Sequence, residues 1–150
     1  MDMNIDTSRD RHRRHIAAHA ARARLIDRFG TDEHRRQQAE FPTGPRVPAT
    51  ELLRLVLDAS HGTDTGVPEV RQEDLTDALQ MVVSIRRSID SMEYNAIAAA
   101  RKAGLTWRQL ADALALESPQ AAQQRFQRLG DRLNDTAIGE NTRSRPTDGL

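Results

Sequence analysis

The side chains with the most chemical promise lie between Thr106 and Arg128, and the chemistry they suit is recognition of a nucleic acid. Gln120, Gln123 and Gln124 recur at spacings of three and four, which puts them on one side of a helix. A glutamine amide can both donate to and accept from the major-groove edge of adenine. An arginine donates two hydrogen bonds to guanine or grips a phosphate. Arg125 and Arg128 share the segment, and Arg101 and Arg108 precede it. The expected assignment is that Gln120, Gln123 and Gln124 read bases, and that Arg101, Arg108, Arg125 and Arg128 hold phosphates. Thr106, Ser118 and Pro119 would lie near the backbone of the nucleic acid at the two helix starts. The bland alternative is a solvated, glutamine-rich helix surface.

Other chemistry finds less support. His12, His15 and His19 stand at helical spacing for a metal, but no Cys and no placed carboxylate completes a ligand set. They read as exposed polar residues on a basic helix, and neither metal nor cofactor is expected. The basic run around them reads as a solvated face, with an arm touching phosphates as the minority reading. Asp74 and Asp77 share a helix without a partnered base. No phosphate loop, nucleophile elbow or metalloprotease signature is present, so no enzyme activity is expected.

The elements that must position the glutamines are marked by start signals. Thr106 can N-cap a helix, with Gln109 three residues on to complete a capping box and Leu105 and Leu110 as a hydrophobic staple. Ser118 followed by Pro119 is a second N-cap with proline at the first helical position. Leu110, Ala111 and Leu114 make one apolar stripe, and Ala122, Phe126 and Leu129 make the other. Leu116 falls in the turn between them. Two helices joined so closely, the second with polar residues turned outward, are laid out as a helix-turn-helix. Trp107 is expected to anchor the first of them.

At these residues the chain resembles the small actinobacterial helix-turn-helix regulators related to region four of sigma factors. Their pattern runs from an Ala-Ala-Arg helix through Gly and a Ser/Thr-Trp start to a Gln-Ala-Ala second helix with an Arg-aromatic pair. The matching residues here are Ala99, Ala100, Arg101, Gly104, Thr106, Trp107, Gln120, Ala121, Ala122, Arg125 and Phe126. The resemblance covers about residues 75–130 and implies a DNA-binding transcriptional regulator. Ala115 stands where the family uses Gly, and Pro119 where it often has Arg.

Before this segment, Leu75, Ala78, Val82, Ile85, Ile89, Met92, Ala96, Ala99 and Ala103 repeat at spacings of three and four, widened by Leu79. They predict a long amphipathic helix over about 72–103. Its stripe suggests a homodimer through Leu75, Val82, Ile85, Ile89 and Met92, the alternative being an intramolecular core. Thr50 is expected to cap a short helix carrying Leu52, Leu53, Val56 and Leu57. Residues 9–40 read as one Arg/Ala/His-rich helix with an irregular apolar side of Ile16, Ala20, Leu25, Ile26 and Phe29. The expected organisation is a basic helical segment and linker (1–47), a packing or dimerisation region (48–93), the DNA-binding region (94–133) and a flexible tail (134–150).

Composition sets the outer bounds. A chain of 150 residues with 37% hydrophobic and 3% aromatic content favours a modest all-α core packed with Ala and Leu. The formal charge is zero, yet residues 94–132 hold Arg101, Lys102, Arg108, Arg125, Arg128 and Arg132 against Asp112, Glu117 and Asp131. Local positive surface is what matters for phosphate binding, and this surplus predicts a weak monomer that needs a dimer or a protein partner. No long apolar run and no signal-peptide core appear, so a cytoplasmic, nucleoid-associated protein without membrane contact is expected. The expected partner is double-stranded DNA. A dimeric helical adaptor for proteins is the competing class.

Overall fold

The computed structural model describes residues 3–42, 46–62 and 65–137. Among them the regular elements are six helices: α1 (Met3–Phe29), α2 (Asp32–Glu40), α3 (Ala49–Ser60), α4 (Gln72–Lys102), α5 (Trp107–Ala113) and α6 (Pro119–Ala137). The all-α fold is thus present, without strands among the described residues. None of these helices is long and apolar enough to cross a membrane. The chain divides into two compact units, Met1–Arg86 and Arg87–Leu150. Helix α4 supplies its first half to one and its second half to the other. The division falls earlier than the expected boundary at 93. Residues 134–137, expected in the tail, extend α6, and the rest of that expected tail lies outside the described residues.

In the first unit, α1 and Val47 do not stand apart from α3 and α4. Ala21, Leu25, Ile26 and Phe29 of α1 share one buried cluster with Val47, with Leu52 and Val56 of α3, and with Ala78 and Met81 of α4. Leu25, Leu52, Val56 and Met81 lose essentially all solvent contact, each burial stabilising by roughly 1.5–3 kcal/mol. The single helix expected over 9–40 is broken at Gly30. A side chain there would lie 2.3 Å from the carbonyl oxygen of Ile26, so only glycine fits. Thr31 then starts α2 with a capping box in which its hydroxyl accepts from the His34 N–H and its own N–H donates to His34 Nδ1, both at 3.2 Å. Thr50 is not a cap: α3 begins after Pro48, with no side-chain cap hydrogen bond.

Two carboxylates complete this unit. Asp74 and Asp77 of α4 are only 3% and 4% exposed. Arg24 donates to both oxygens of Asp77 at 2.8 Å, and Arg28 to those of Asp74 at 2.7 and 2.9 Å. The Arg71 backbone N–H adds a third bond to Asp74 at 2.8 Å. Burial pushes the Asp74 carboxyl up, but Arg28 and that N–H outweigh it and hold it below the usual carboxylate range. As residue numbers rise along α1 they fall along α4, so the two helices run antiparallel here.

These carboxylates also decide which side of α4 is covered. Of the apolar stripe read from the sequence, only Ala78 is buried. Val82 and Ile85 are half-buried, while Leu75, Leu79, Ile89 and Met92 are exposed, Leu79 by 66% and Met92 by 63%. The stripe is therefore not an intramolecular core.

Candidate nucleic-acid interface

The second unit is built from the last part of α4 with α5 and α6. Ile97, Leu110, Ala111, Ala122 and Leu129 form its buried cluster, with Tyr94, Leu105, Trp107, Leu114, Leu116 and Phe126 packed around it. Tyr94 and Phe126 stack at 4.7 Å and 5° between ring planes, and Trp107 tilts against Phe126 at 5.9 Å. Trp107 is thus a half-buried anchor, close to its expected role. Gly130 lets Tyr94 approach α6: a Cβ there would lie 3.2 Å from the Tyr94 ring.

Two turns of the same type set the directions of α5 and α6. At the end of α4 the Leu105 N–H donates to the Ala100 carbonyl and the Gly104 N–H to that of Arg101, both at 3.0 Å. At the end of α5 the Leu116 N–H donates to Ala111 at 2.8 Å and the Ala115 N–H to Asp112 at 3.3 Å. This is the Schellman pattern, which needs a left-handed residue just past the helix. Gly104 takes that place at φ 96°, and Ala115 at φ 54°. Alanine pays a steric cost there that glycine does not. Thr106 and Gln109 then form the expected capping box, with Thr106 N–H to Gln109 Oε1 at 2.8 Å. Ser118 Oγ accepts from the Ala121 N–H at 3.1 Å, which makes it the N-cap of α6 with Pro119 next.

This framework turns one face of α6 outward. Ala122, Phe126 and Leu129 point into the unit, while Gln120, Gln123, Gln124, Gln127 and Arg128 are exposed on the other side. Thr106, Arg108 and Gln109 are exposed at the start of α5. Ser118 and Pro119 are half-buried at the junction.

The arginines separate into different groups. Arg125, expected on a phosphate, grips both oxygens of Glu93, one arm at 2.8 Å. Hydrogen bonding to Arg125 holds the Glu93 carboxyl below its ordinary range, and Glu93 in turn raises Arg125. Arg132 reaches Asp90 at 3.3 Å. Both tie α6 antiparallel to α4, so Arg125 serves the fold. Arg101 donates to the Leu105 carbonyl at 2.6 Å and lies 4.8 Å over the Trp107 ring. Arg108 faces Asp112 at a loose 3.7 Å, with both side chains mostly solvated. Arg128 stands exposed on the glutamine face.

Sequence reasoning missed Gly130 and the role of Glu93 as the partner of Arg125. Only an unpaired Arg in α6 and an acid in α4 hinted at that bond. Among the described residues no group of three His, Cys, Asp or Glu side chains is placed to hold a metal, and His12, His15 and His19 are exposed. The chain matches no family model, no curated protein and no solved structure.

Proposed function

We propose that the second unit is a helix-turn-helix and that α6 is its recognition helix, inserted into the major groove of double-stranded DNA in the service of transcriptional regulation. The observation that carries this reading is the polar face of α6. Four glutamines and Arg128 are exposed together, opposite the buried Ala122, Phe126 and Leu129. Amides on a fixed helix suit adenine edges, and Arg128 suits guanine or phosphate. Arg108, Lys102 and the start of α6 supply further backbone contacts, with Thr106 and Ser118 beside them. The resemblance to region-four-like regulators supports the same assignment. The role is one of binding rather than catalysis, and it places the protein with the nucleoid.

The test is binding of the full chain to a randomised duplex pool, followed by affinity measurements over a salt series. Gln123→Ala is expected to cost about 1–3 kcal/mol at the selected site and to relax base preference there, with little change on unrelated DNA. Arg128→Ala is expected to weaken binding to all sequences and flatten the salt slope. An absence of salt-dependent binding sinks the reading.

A second reading, a dimeric adaptor for proteins, draws on the uncovered apolar residues of α4. Leu75, Ile89 and Met92, with half-buried Val82 and Ile85, would form its seam, and Arg125 and Arg132 are already engaged with carboxylates. Sedimentation of the full chain tests the seam, since a monomer has none, and salt-dependent DNA binding separates this reading from the first.

A further inference from the structure

The first unit contains a cleft that its core does not require. It lies beside α1 and α2, and its lining includes His19, Arg22 and Ile26 together with Phe41, Arg46 and Val47. Gln37 and Gln38 close the α2 side. The contrast among the arginines of α1 makes the cleft informative. Arg24 and Arg28 each meet a buried aspartate. Half-buried Arg22 instead donates to the Val47 carbonyl oxygen, and among the described residues no Asp or Glu lines the cleft around it. Burial, and then repulsion from Arg46, lower the pKa of Arg22. Two guanidiniums facing one space without a carboxylate are unfavourable until an anion joins them.

The geometry points to this cleft as a binding site for a small oxyanion, a carboxylate or phosphate group carried on a short apolar body. Guanidinium forks match the paired oxygens of such groups, so Arg22 and Arg46 would hold the headgroup, with the glutamine amides beside them. The cleft holds about 30 Å³, room for roughly two waters, so a single headgroup fits and the body must lie at the mouth. Phe41 belongs to the lining and is 55% exposed. An aromatic residue left largely in water beside a cationic cleft is the apolar contact such a body needs. The site lies within the first unit and stands independently of the DNA-binding reading.

The experiment is thermal unfolding of the full chain, followed by circular dichroism, with inorganic phosphate or benzoate added at constant ionic strength set by chloride. Phosphate probes the headgroup alone, and benzoate adds the flat apolar body. The expected result is a saturable rise in Tm of roughly 2–4 °C with at least one of the two anions. Phosphate also stabilises proteins non-specifically, without saturation. Arg46→Gln, at an exposed position, should abolish the saturable rise, whereas Arg128→Gln in the second unit should leave it intact. Amide NMR titration of the wild type provides a check that needs no variant: shifts should centre on His19, Arg22, Gln37, Gln38 and Val47. No saturable rise with either anion overturns the proposal. So does a rise that survives Arg46→Gln, or shifts confined to the second unit.

Discussion

The two units hold their helices by different means. In the first, a largely aliphatic cluster is bordered by two Arg–Asp pairs that join residues 46 and 53 positions apart. In the second, a smaller cluster of isoleucine, leucine and alanine is framed by three aromatic rings and by local caps at each turn. Burying a carboxylate costs several kcal/mol unless its partner and hydrogen bonds are all in place. The first unit therefore depends on pairs with deeply buried carboxylates that must be complete, whereas the second depends more on packing and on local caps. Its own long-range pairs, Arg125–Glu93 and Arg132–Asp90, lie nearer the surface. A unit of the second kind can offer nearly all the exposed polar residues of α6 to a ligand, because few of them are needed to hold it together. Arg125 and Arg132 are among the exceptions.

The largest expected effect tests the dependence on complete pairs. Asp74→Ala strands Arg28 and the Arg71 N–H and is expected to cost on the order of 3 kcal/mol. Trp107 and Tyr94 are the only Trp and Tyr of the chain, and both belong to the second unit. Far-UV circular dichroism should therefore lose part of its signal at a denaturant concentration where Trp107 fluorescence is unchanged. Coincident transitions would mean that the units unfold as one, and the contrast between them would fail. The pH dependence follows from the same group. The Asp74 carboxyl is held low in the folded chain, so its contribution is fully present above about pH 4 and lost as pH falls through the folded value. A denaturation midpoint measured against pH should show this loss in the wild type and a smaller one in Asp74→Ala.

Next in size, Phe126→Ala removes the ring that contacts both Tyr94 and Trp107 and is expected to cost about 2–3 kcal/mol. Fluorescence-detected unfolding should move, while the part of the circular dichroism transition that fluorescence does not follow stays in place. The smallest effect has the opposite sign. Ala115→Gly relieves a left-handed alanine and is expected to stabilise the second unit by about 0.5–1 kcal/mol. A loss of stability would mean that the turn tolerates alanine without strain.

What the sequence discloses follows the same division. Thr106 with Gln109, Ser118 with Pro119 and the extent of α4 were legible, because caps are written in residues three or four apart. So was the outward face of α6, which follows from its apolar period alone. The break at Gly30 was not, since Thr31 pairs with His34 where a capping box normally carries Glu or Gln. The burial of Asp74 and Asp77 was not legible, because they look like solvated residues until Arg24 and Arg28 are brought to them from α1. Arg125 was assigned to a phosphate for the same reason: its partner Glu93 lies 32 residues away. Long-range pairing of charges leaves no local period to read.

Leu105 has a consequence for the order of folding. Its N–H closes the end of α4, while its side chain stands just before the cap of α5 and packs on the same cluster as Leu110. Helix α5 has seven residues, too few to persist alone in water. It can form only once the chain on either side has turned, and Leu105 and Leu116 make those two turns in succession. Each closure spans only a few residues, and loops of about ten residues shut in roughly 10–100 ns. The second unit can thus set its two turns by short local steps, leaving the contacts of α6 on α4, the stacking of Phe126 on Tyr94 and the pairing of Arg125 with Glu93, to be made late.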